Sequence, residues 1–310
     1  MQDIFYLSKD GKTQIHACIW RPVATPRGVL QIVHGMSEYA ARYAPFAEYL
    51  AEKGFIVCAE DHLGHGQSVA SQKDLGWFNE EHDYNIVLKD IRALHQTVKE
   101  EAKGLPYFMM GHSMGSFFCR NYIARYGEEL SGAIVMGTGF KGGALMNTAL
   151  ALTRLNALFC GWKHKSNFIK SLAFGSYNKR FKTEKEEYAW LSKNPENVKA
   201  YNTDDLCGFE FTNNGYYILF SVIKAACAGK TIKAVPENLP VFFVAGKEDP
   251  VGDYGKGVLK AYNKFKAAGV KDVAVKLYDK GDRHEILNDV SKEEVYGDIF
   301  EFLLKNSIQI

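Results

Sequence analysis

Short, almost wholly apolar runs recur along this chain and constrain its fold more than any other feature. "GVLQIVHG" (28–35), "GFIVCAED" (54–61) and "LPVFFVAGKEDP" (239–250) are too short for buried helices, and each gives way to a glycine or a polar turn. Such runs suit strands covered on both faces, as in a parallel sheet. "TQIHACIW" (13–20) alternates at period two, and "PYFMMGHS" (106–113), "SGAIVMGTG" (131–139) and "VAVKLYDKG" (273–281) supply further strands. Helical spacing fills the intervals in "RYAPFAEYLAEKG" (42–54), "DYNIVLKDIRALHQTVKEEAKG" (83–104), "MGSFFCRNYIARYG" (114–127) and "GVLKAYNKFKAAG" (257–269). The alternation predicts an α/β fold, a mostly parallel sheet with helices on both faces.

One stretch breaks the rhythm. Between Phe140 and Pro236 no strand-like run occurs, only helix-friendly segments such as "ALMNTALALTRLNALF" and "EKEEYAWLSKNPENVKAYN". The expected organisation is a core of residues 1–139 and 237–310, interrupted by a helical cap over 140–236. For 310 residues, one large domain with an insertion fits better than two equal domains.

The chemistry starts at "MMGHSMGSFF", where Ser113 stands between Gly111 and Gly115. G-x-S-x-G directly after an apolar strand and directly before a helix is a nucleophile elbow, whose glycines permit a strained turn that lifts the serine oxygen above the sheet edge. A serine nucleophile needs a base. Of nine histidines only His164 and His284 follow Ser113. In this architecture the order is serine, acid, histidine; no acid lies between Phe140 and His164, so His284 in "DKGDRHEILND" is the expected base. The acid belongs in the loop after the preceding strand, "VFFVAGKEDPVGD". Asp249 fits the G-x-x-D spacing there, with Glu248 and Asp253 as rivals. Backbone N–H groups of Met114 and Met36 are the expected oxyanion donors. Gly35 is expected to let backbone approach the substrate, His34 to pack beneath that loop, and His112 to face the substrate.

Two other motifs compete with this reading. "GTGFKG" (137–142) fits a dinucleotide fingerprint, but no Asp or Glu follows until Glu184, where the pattern needs an acid about 20 residues on. "DHLGHG" (61–66) offers half a metal site, with no further ligand cluster at suitable spacing. Neither a metal nor an organic cofactor is expected.

At these residues the chain resembles the monoacylglycerol lipase and lysophospholipase-like branch of the α/β-hydrolase superfamily, also labelled serine aminopeptidase S33. "HGMSEYAARY" is similar to the family's H-G-x-x-E-H-x-x-R-Y, "DHLGHGQS" to D-x-R-G-H-G-x-S, "GHSMGS" to the elbow and "HEILND" to the histidine loop. "DDLCGFEFT" (204–212) resembles a cap segment of bacterial members. Tyr39 stands where the family usually has His, and Leu63 where it usually has Arg. The resemblance implies an α/β-hydrolase fold and cofactor-free hydrolysis of carboxylic esters with a medium or long acyl chain, through Ser113, Asp249 and His284. Alternatives are the same site acting on a short ester, thioester, peptide or C–C bond, and a non-catalytic binding protein on this scaffold.

Composition narrows the partners. A net charge of +2 and the lack of basic runs interleaved with stacking aromatics exclude a nucleic-acid groove. From Lys141 to Lys182 the only charges are basic (Lys141, Arg154, Lys163, Lys165, Lys170, Lys179, Arg180, Lys182), set among Leu, Phe and Trp. Such a cap suits transient contact with an anionic lipid surface. Six scattered cysteines without paired spacing read as reduced thiols, and the start lacks a basic segment followed by an apolar one. A cytoplasmic protein is expected.

Overall fold

The computed structural model describes residues 1–184 and 186–307. Eight strands form one sheet: β1 (Gln2–Leu7), β2 (Gln14–Trp20), β3 (Gly28–Val33), β4 (Phe55–Glu60), β5 (Tyr107–His112), β6 (Gly132–Met136), β7 (Val241–Gly246) and β8 (Val273–Tyr278). Their spatial order is β1-β2-β4-β3-β5-β6-β7-β8. β1 pairs antiparallel with β2, and β2 with β4; every other pairing is parallel.

The continuous apolar runs are explained by the pleat, which sends successive side chains to opposite faces. In β5, Tyr107 and Met109 enter one core while Phe108 and Met110 enter the other. In β7, Phe243 and Ala245 separate in the same way from Phe242 and Val244. Helices α1 (Ala44–Glu52) and α10 (Lys292–Ser307) cover one face through Phe46, Leu50, Val295 and Ile299. On the other face lie α2 (Tyr84–Glu101), α3 (Met114–Tyr126) and α9 (Lys256–Ala267), packed through Ile91, Phe118 and Phe265.

Between β6 and β7 run α4 (Gly143–Cys160), α5 (Asn167–Phe174), α6 (Pro195–Thr203), α7 (Asn213–Ala226) and α8 (Gly229–Lys233), with no strand among the described residues. The segment "EKEEYAWLSKNPENVKAYN" is not one helix. Its α-helical part, α6, starts only at Pro195, because proline suits the first helical turn but breaks an interior. The Asn194 side chain caps α6 by accepting the Glu196 N–H at 3.1 Å.

β1 is an element the sequence pattern left unassigned. It sits at the sheet edge, where its side chains are largely half-buried or exposed. Its Tyr6 hydroxyl nevertheless donates at 2.6 Å to Glu60, a carboxyl buried at the end of β4. Burial pushes the Glu60 pKa up to about 8, aided by Asp61 and partly opposed by the Tyr6 hydrogen bond. Glu60 therefore carries a proton at neutral pH and faces Nδ1 of His62 at 3.2 Å, an imidazole that burial keeps neutral with a pKa of about 4. The folded state thus holds a proton that the unfolded chain releases near pH 4.5. Stability from this group falls as pH rises from about 4.5 through about 8. Glu60→Gln is expected to come close to wild type near pH 5 and to exceed it at pH 9 by about 4 kcal/mol, read from urea unfolding at both pH values.

Candidate active site

The strand order assembles the site. β3 lies beside β5, and β7 beside β8, so the loops leaving their carboxyl ends meet above one sheet edge. Ser113 follows β5 directly, with φ 53° and ψ −120°. This left-handed backbone costs a non-glycine residue about 1–3 kcal/mol. The Ser113 N–H donates to the Met136 carbonyl at 3.1 Å, which ties the strained turn to β6. Gly115 makes the turn possible from below, because a Cβ there would run into the carbonyls of Val33 and His34 at the end of β3. Gly35 does the same from the side, since its Cβ would lie 3.1 Å from Cβ of Ser113.

His284 and Asp249 come together. Nδ1 of His284 is 2.9 Å from the Asp249 carboxylate, and both residues are buried. The second Asp249 oxygen accepts the Val251 N–H at 2.8 Å. Nε2 of His284 is buried with no hydrogen-bond partner among the described residues. The rival acids, Glu248 and Asp253, are exposed. His164 is also exposed, in the turn between α4 and α5.

Ser113, Met114, Met36, His112 and His284 all line one cavity of about 300 Å³. Neither the Met36 nor the Met114 N–H donates to another protein group among the described residues. The far wall comes from the helical segment inserted between β6 and β7 and from α3: Phe117, Leu145, Met146, Phe174, Leu219 and Phe220 are among its apolar residues. Trp190 packs on His284, with the ring centroids 5.1 Å apart.

His112 lines the cavity, but both of its nitrogens are engaged by the protein. Nε2 faces the His284 carbonyl at 3.2 Å, and Nδ1 faces Glu38 at 3.2 Å and the Tyr43 hydroxyl at 3.0 Å. Burial opposes a charge on His112, yet the Glu38 carboxylate outweighs it and raises the pKa above the usual histidine value. Burial likewise opposes ionisation of Glu38, but His112 and Arg42 hold its carboxyl well below the usual range. Glu38 also accepts the Gly35 N–H at 2.6 Å. Arg42 then joins Glu38 at 2.9 Å to Glu285 at 2.8 and 2.9 Å, and Asn197 of α6 donates to Glu285 at 2.8 Å.

This buried network links the Met36 loop, the end of β5, the His284 loop and the insertion. Motif reasoning passed over its roles, although Glu38, Arg42 and Glu285 all lie inside the quoted stretches "HGMSEYAARY" and "HEILND".

The remaining motifs have structural places. Asp61 accepts the N–H groups of Ala40 at 2.7 Å and Gln67 at 2.9 Å, so "DHLGHG" is a braced loop. His34 stacks on His62 at 4.0 Å, and burial drives its pKa down to about 3. Leu63 is buried in the core, while the Tyr39 hydroxyl donates to Asp204 of the insertion at 2.8 Å. "GTGFKG" passes beside the site, with His112 and His284 each 3.2 Å from where a Gly137 Cβ would lie. Asp3, His16 and Cys18 present ligand-type atoms within 4.8 Å of one another near the β1 edge. There His16 already faces Asp61 and Asp3, and burial pushes the Cys18 thiol up, away from the thiolate a metal needs.

A serine on a left-handed turn between a central parallel strand and a helix, with an aspartate–histidine pair delivered by the last two strands, defines an α/β hydrolase. The chain belongs to the family described as serine aminopeptidase, S33, whose pattern it matches over residues 24–291. It is similar to monoglyceride lipase of Rattus norvegicus, 24% identical over 90% of this chain and 82% of that one. A thermostable carboxyl esterase from Bacillus coagulans superposes with a TM-score of 0.92 at 30% identity, covering 99% of both chains. A lipase in an open form superposes at 0.88 with 28% identity, again over 99% of each. The chain is a carboxylic ester hydrolase.

Replacing Arg42 by Met leaves Glu38 and Glu285 buried without their shared cation. The expected loss is about 3–5 kcal/mol of unfolding free energy in urea. Adding Glu285→Gln is expected to restore part of it, because one of the two uncompensated charges is then gone.

Proposed function

We propose that this protein hydrolyses acyl esters of the monoacylglycerol or lysophospholipid type through an acyl-enzyme on Ser113. The observation that carries the reading is His284: one ring nitrogen faces a buried aspartate, and the other is left unpartnered beside a cavity that holds a strained serine. In this reading Asp249 fixes the Nδ1–H tautomer and stabilises the imidazolium. Nε2 takes the Ser113 proton as Oγ bonds to the acyl carbonyl. The carbonyl oxygen becomes an oxyanion held by the Met36 and Met114 N–H groups. His284 then gives its proton to the departing glyceryl oxygen, leaving the acyl group on Ser113. Water, deprotonated by His284, releases the fatty acid and restores the serine. Gly35 leaves space for this approach, and His112 acts as a positioning residue through its contact with the His284 carbonyl.

Residues 140–236 serve as the cap over a core of 1–139 and 237–310, and the apolar wall they supply suits an acyl chain. Fatty-acid release across a chain-length series of monoacylglycerols is expected to peak at one length, and Ser113→Ala to lower it by roughly 10⁴-fold or more. A variant as active as wild type would place the chemistry elsewhere.

The cap is also the proposed lipid-surface contact. Leu158 and Phe159 at the end of α4 are 77% and 79% exposed, with Phe168 of α5 at 57% and Lys163 and Lys165 between them. Among the described residues no helix is long and apolar enough to cross a membrane, so the attachment proposed is peripheral. Leu158→Ser with Phe159→Ser is expected to weaken co-sedimentation with anionic vesicles by roughly 10-fold or more. Its rate on a water-soluble short ester should equal that of wild type. The six free thiols, Cys18, Cys58, Cys119, Cys160, Cys207 and Cys227, support a reducing, cytoplasmic setting for this work.

A further inference from the structure

A second cavity, of about 500 Å³, adjoins the first and has the opposite character. Lys141, Lys179 and Arg180 from the insertion face Lys256 and Lys260 of α9 across it, and Asp253 is the one acid in its lining. The charge is local, for the whole chain carries only +2.

Like Arg154, Lys163, Lys165 and Lys182, these five cations have no acidic partner among the described residues, and what sets them apart is that they line one concavity. Lys170 is paired with Glu187 and Glu210, whereas none of the five makes an ion pair among the described residues. Two are held over rings instead: Arg180 lies 3.4 Å from the Tyr254 centroid and Lys260 lies 5.1 Å from that of Phe140. Five cations gathered around one concavity repel one another. The arrangement is relieved by an anion that several of them share.

The two cavities share a wall. Lys141, Ser176, Tyr177 and Val251 line both, and the Val251 N–H is the group that holds Asp249. A ligand in the basic cavity therefore sits one residue layer from the carboxylate–imidazole pair. A carboxylate, with a single charge and two oxygens, leaves most of these bases unanswered. A phosphate presents up to two charges and three oxygens.

We infer that the basic cavity receives the phosphate of a glycerophosphoryl group, so that a substrate with its ester at Ser113 places a phosphorylated leaving group there. The inference deepens the ester-hydrolase reading and rests on it. The lone carboxylate, Asp253, accepts a hydroxyl from the glyceryl part. Selection then acts on the leaving group, beyond whatever selection the apolar cavity makes on the acyl chain.

Lys256 and Lys260 are exposed and do not line the serine cavity, so Lys256→Gln with Lys260→Gln alters the basic cavity without touching the serine site. The first measurement is calorimetric titration of the full chain carrying Ser113→Ala with glycerol 3-phosphate, glycerol and acetate. Glycerol 3-phosphate is expected to bind and the other two not to. Binding should weaken at least tenfold in the double lysine variant and on raising the salt from 50 to about 300 mM. The second compares turnover of a lysophosphatidic acid and a monoacylglycerol of the same acyl length. The double variant is expected to raise KM for the phosphorylated ester about tenfold and to leave the neutral one unchanged. Equal binding of glycerol 3-phosphate by both proteins, or by neither, overturns the inference. Failure of the ester-hydrolase reading shows separately, as a Ser113→Ala protein with wild-type activity on the neutral ester, and the titration still decides the cavity.

Discussion

Everything at the site depends on a cluster of buried charges that no single element could hold alone. Glu38 sits among His112, Tyr43, Arg42 and the Gly35 N–H, and Arg42 carries the chain of contacts on to Glu285. Each ion is expensive to desolvate, so the cluster is stable only with every partner in place. That requirement has a geometric consequence. The loop bearing Met36, the end of β5 just before Ser113 and the loop bearing His284 are locked to one another through side chains beside Ser113 and His284. The same cluster holds the His284 backbone through His112, while Asp249 holds its ring.

The insertion is tied into this frame at several points. Asn197 reaches Glu285, Tyr201 and Gly208 both bond the Ser37 carbonyl at 3.0 Å, and Tyr39 reaches Asp204. Arg283, next to His284, is bound to Glu184 and to the carbonyls of Ala189 and Ser192. The insertion therefore supplies more than an apolar wall. It sets the position of the Met36 loop and of His284 from above, while the sheet sets them from below. Tyr39 and Leu63, the two departures from the family pattern, fit this picture: one is a tether to the insertion and the other a core side chain.

Apolar lining and positive charge are divided between two neighbouring concavities. The apolar one is lined by Ser113 and His284, and the basic one lies behind the loop that carries Asp249. Because Asp249 is buried, its field acts on His284 and not on solvent. The cations of the second concavity lie on the other side of Val251. An anionic group drawn to that side meets five bases and a single acid, Asp253.

Much of this protein was legible in its sequence because local periodicity reports burial directly. Strands buried on both faces read as unbroken apolar runs, a glycine pair marks the only backbone that can turn at Ser113, and chain order separates His284 from His164. Asp249 could be preferred to Asp253 on spacing alone, and in the structure it is Asp249 that meets the imidazole. Edge strand β1 escaped, because half-exposed side chains leave only a faint alternation. The Glu38–Arg42–Glu285 cluster also escaped, since its members are separated by up to 247 positions between Glu38 and Glu285 and nothing in a one-dimensional pattern says which charges share a dry site. The placement of Trp190 over His284, and the meeting of insertion and α9 lysines around one cavity, are likewise products of how a helical segment folds back on a sheet. Backbone conformation and its apolar pattern are set by near neighbours and so belong to the sequence. Which charges end up facing one another is set by packing over long distances, and only the tertiary structure decides it.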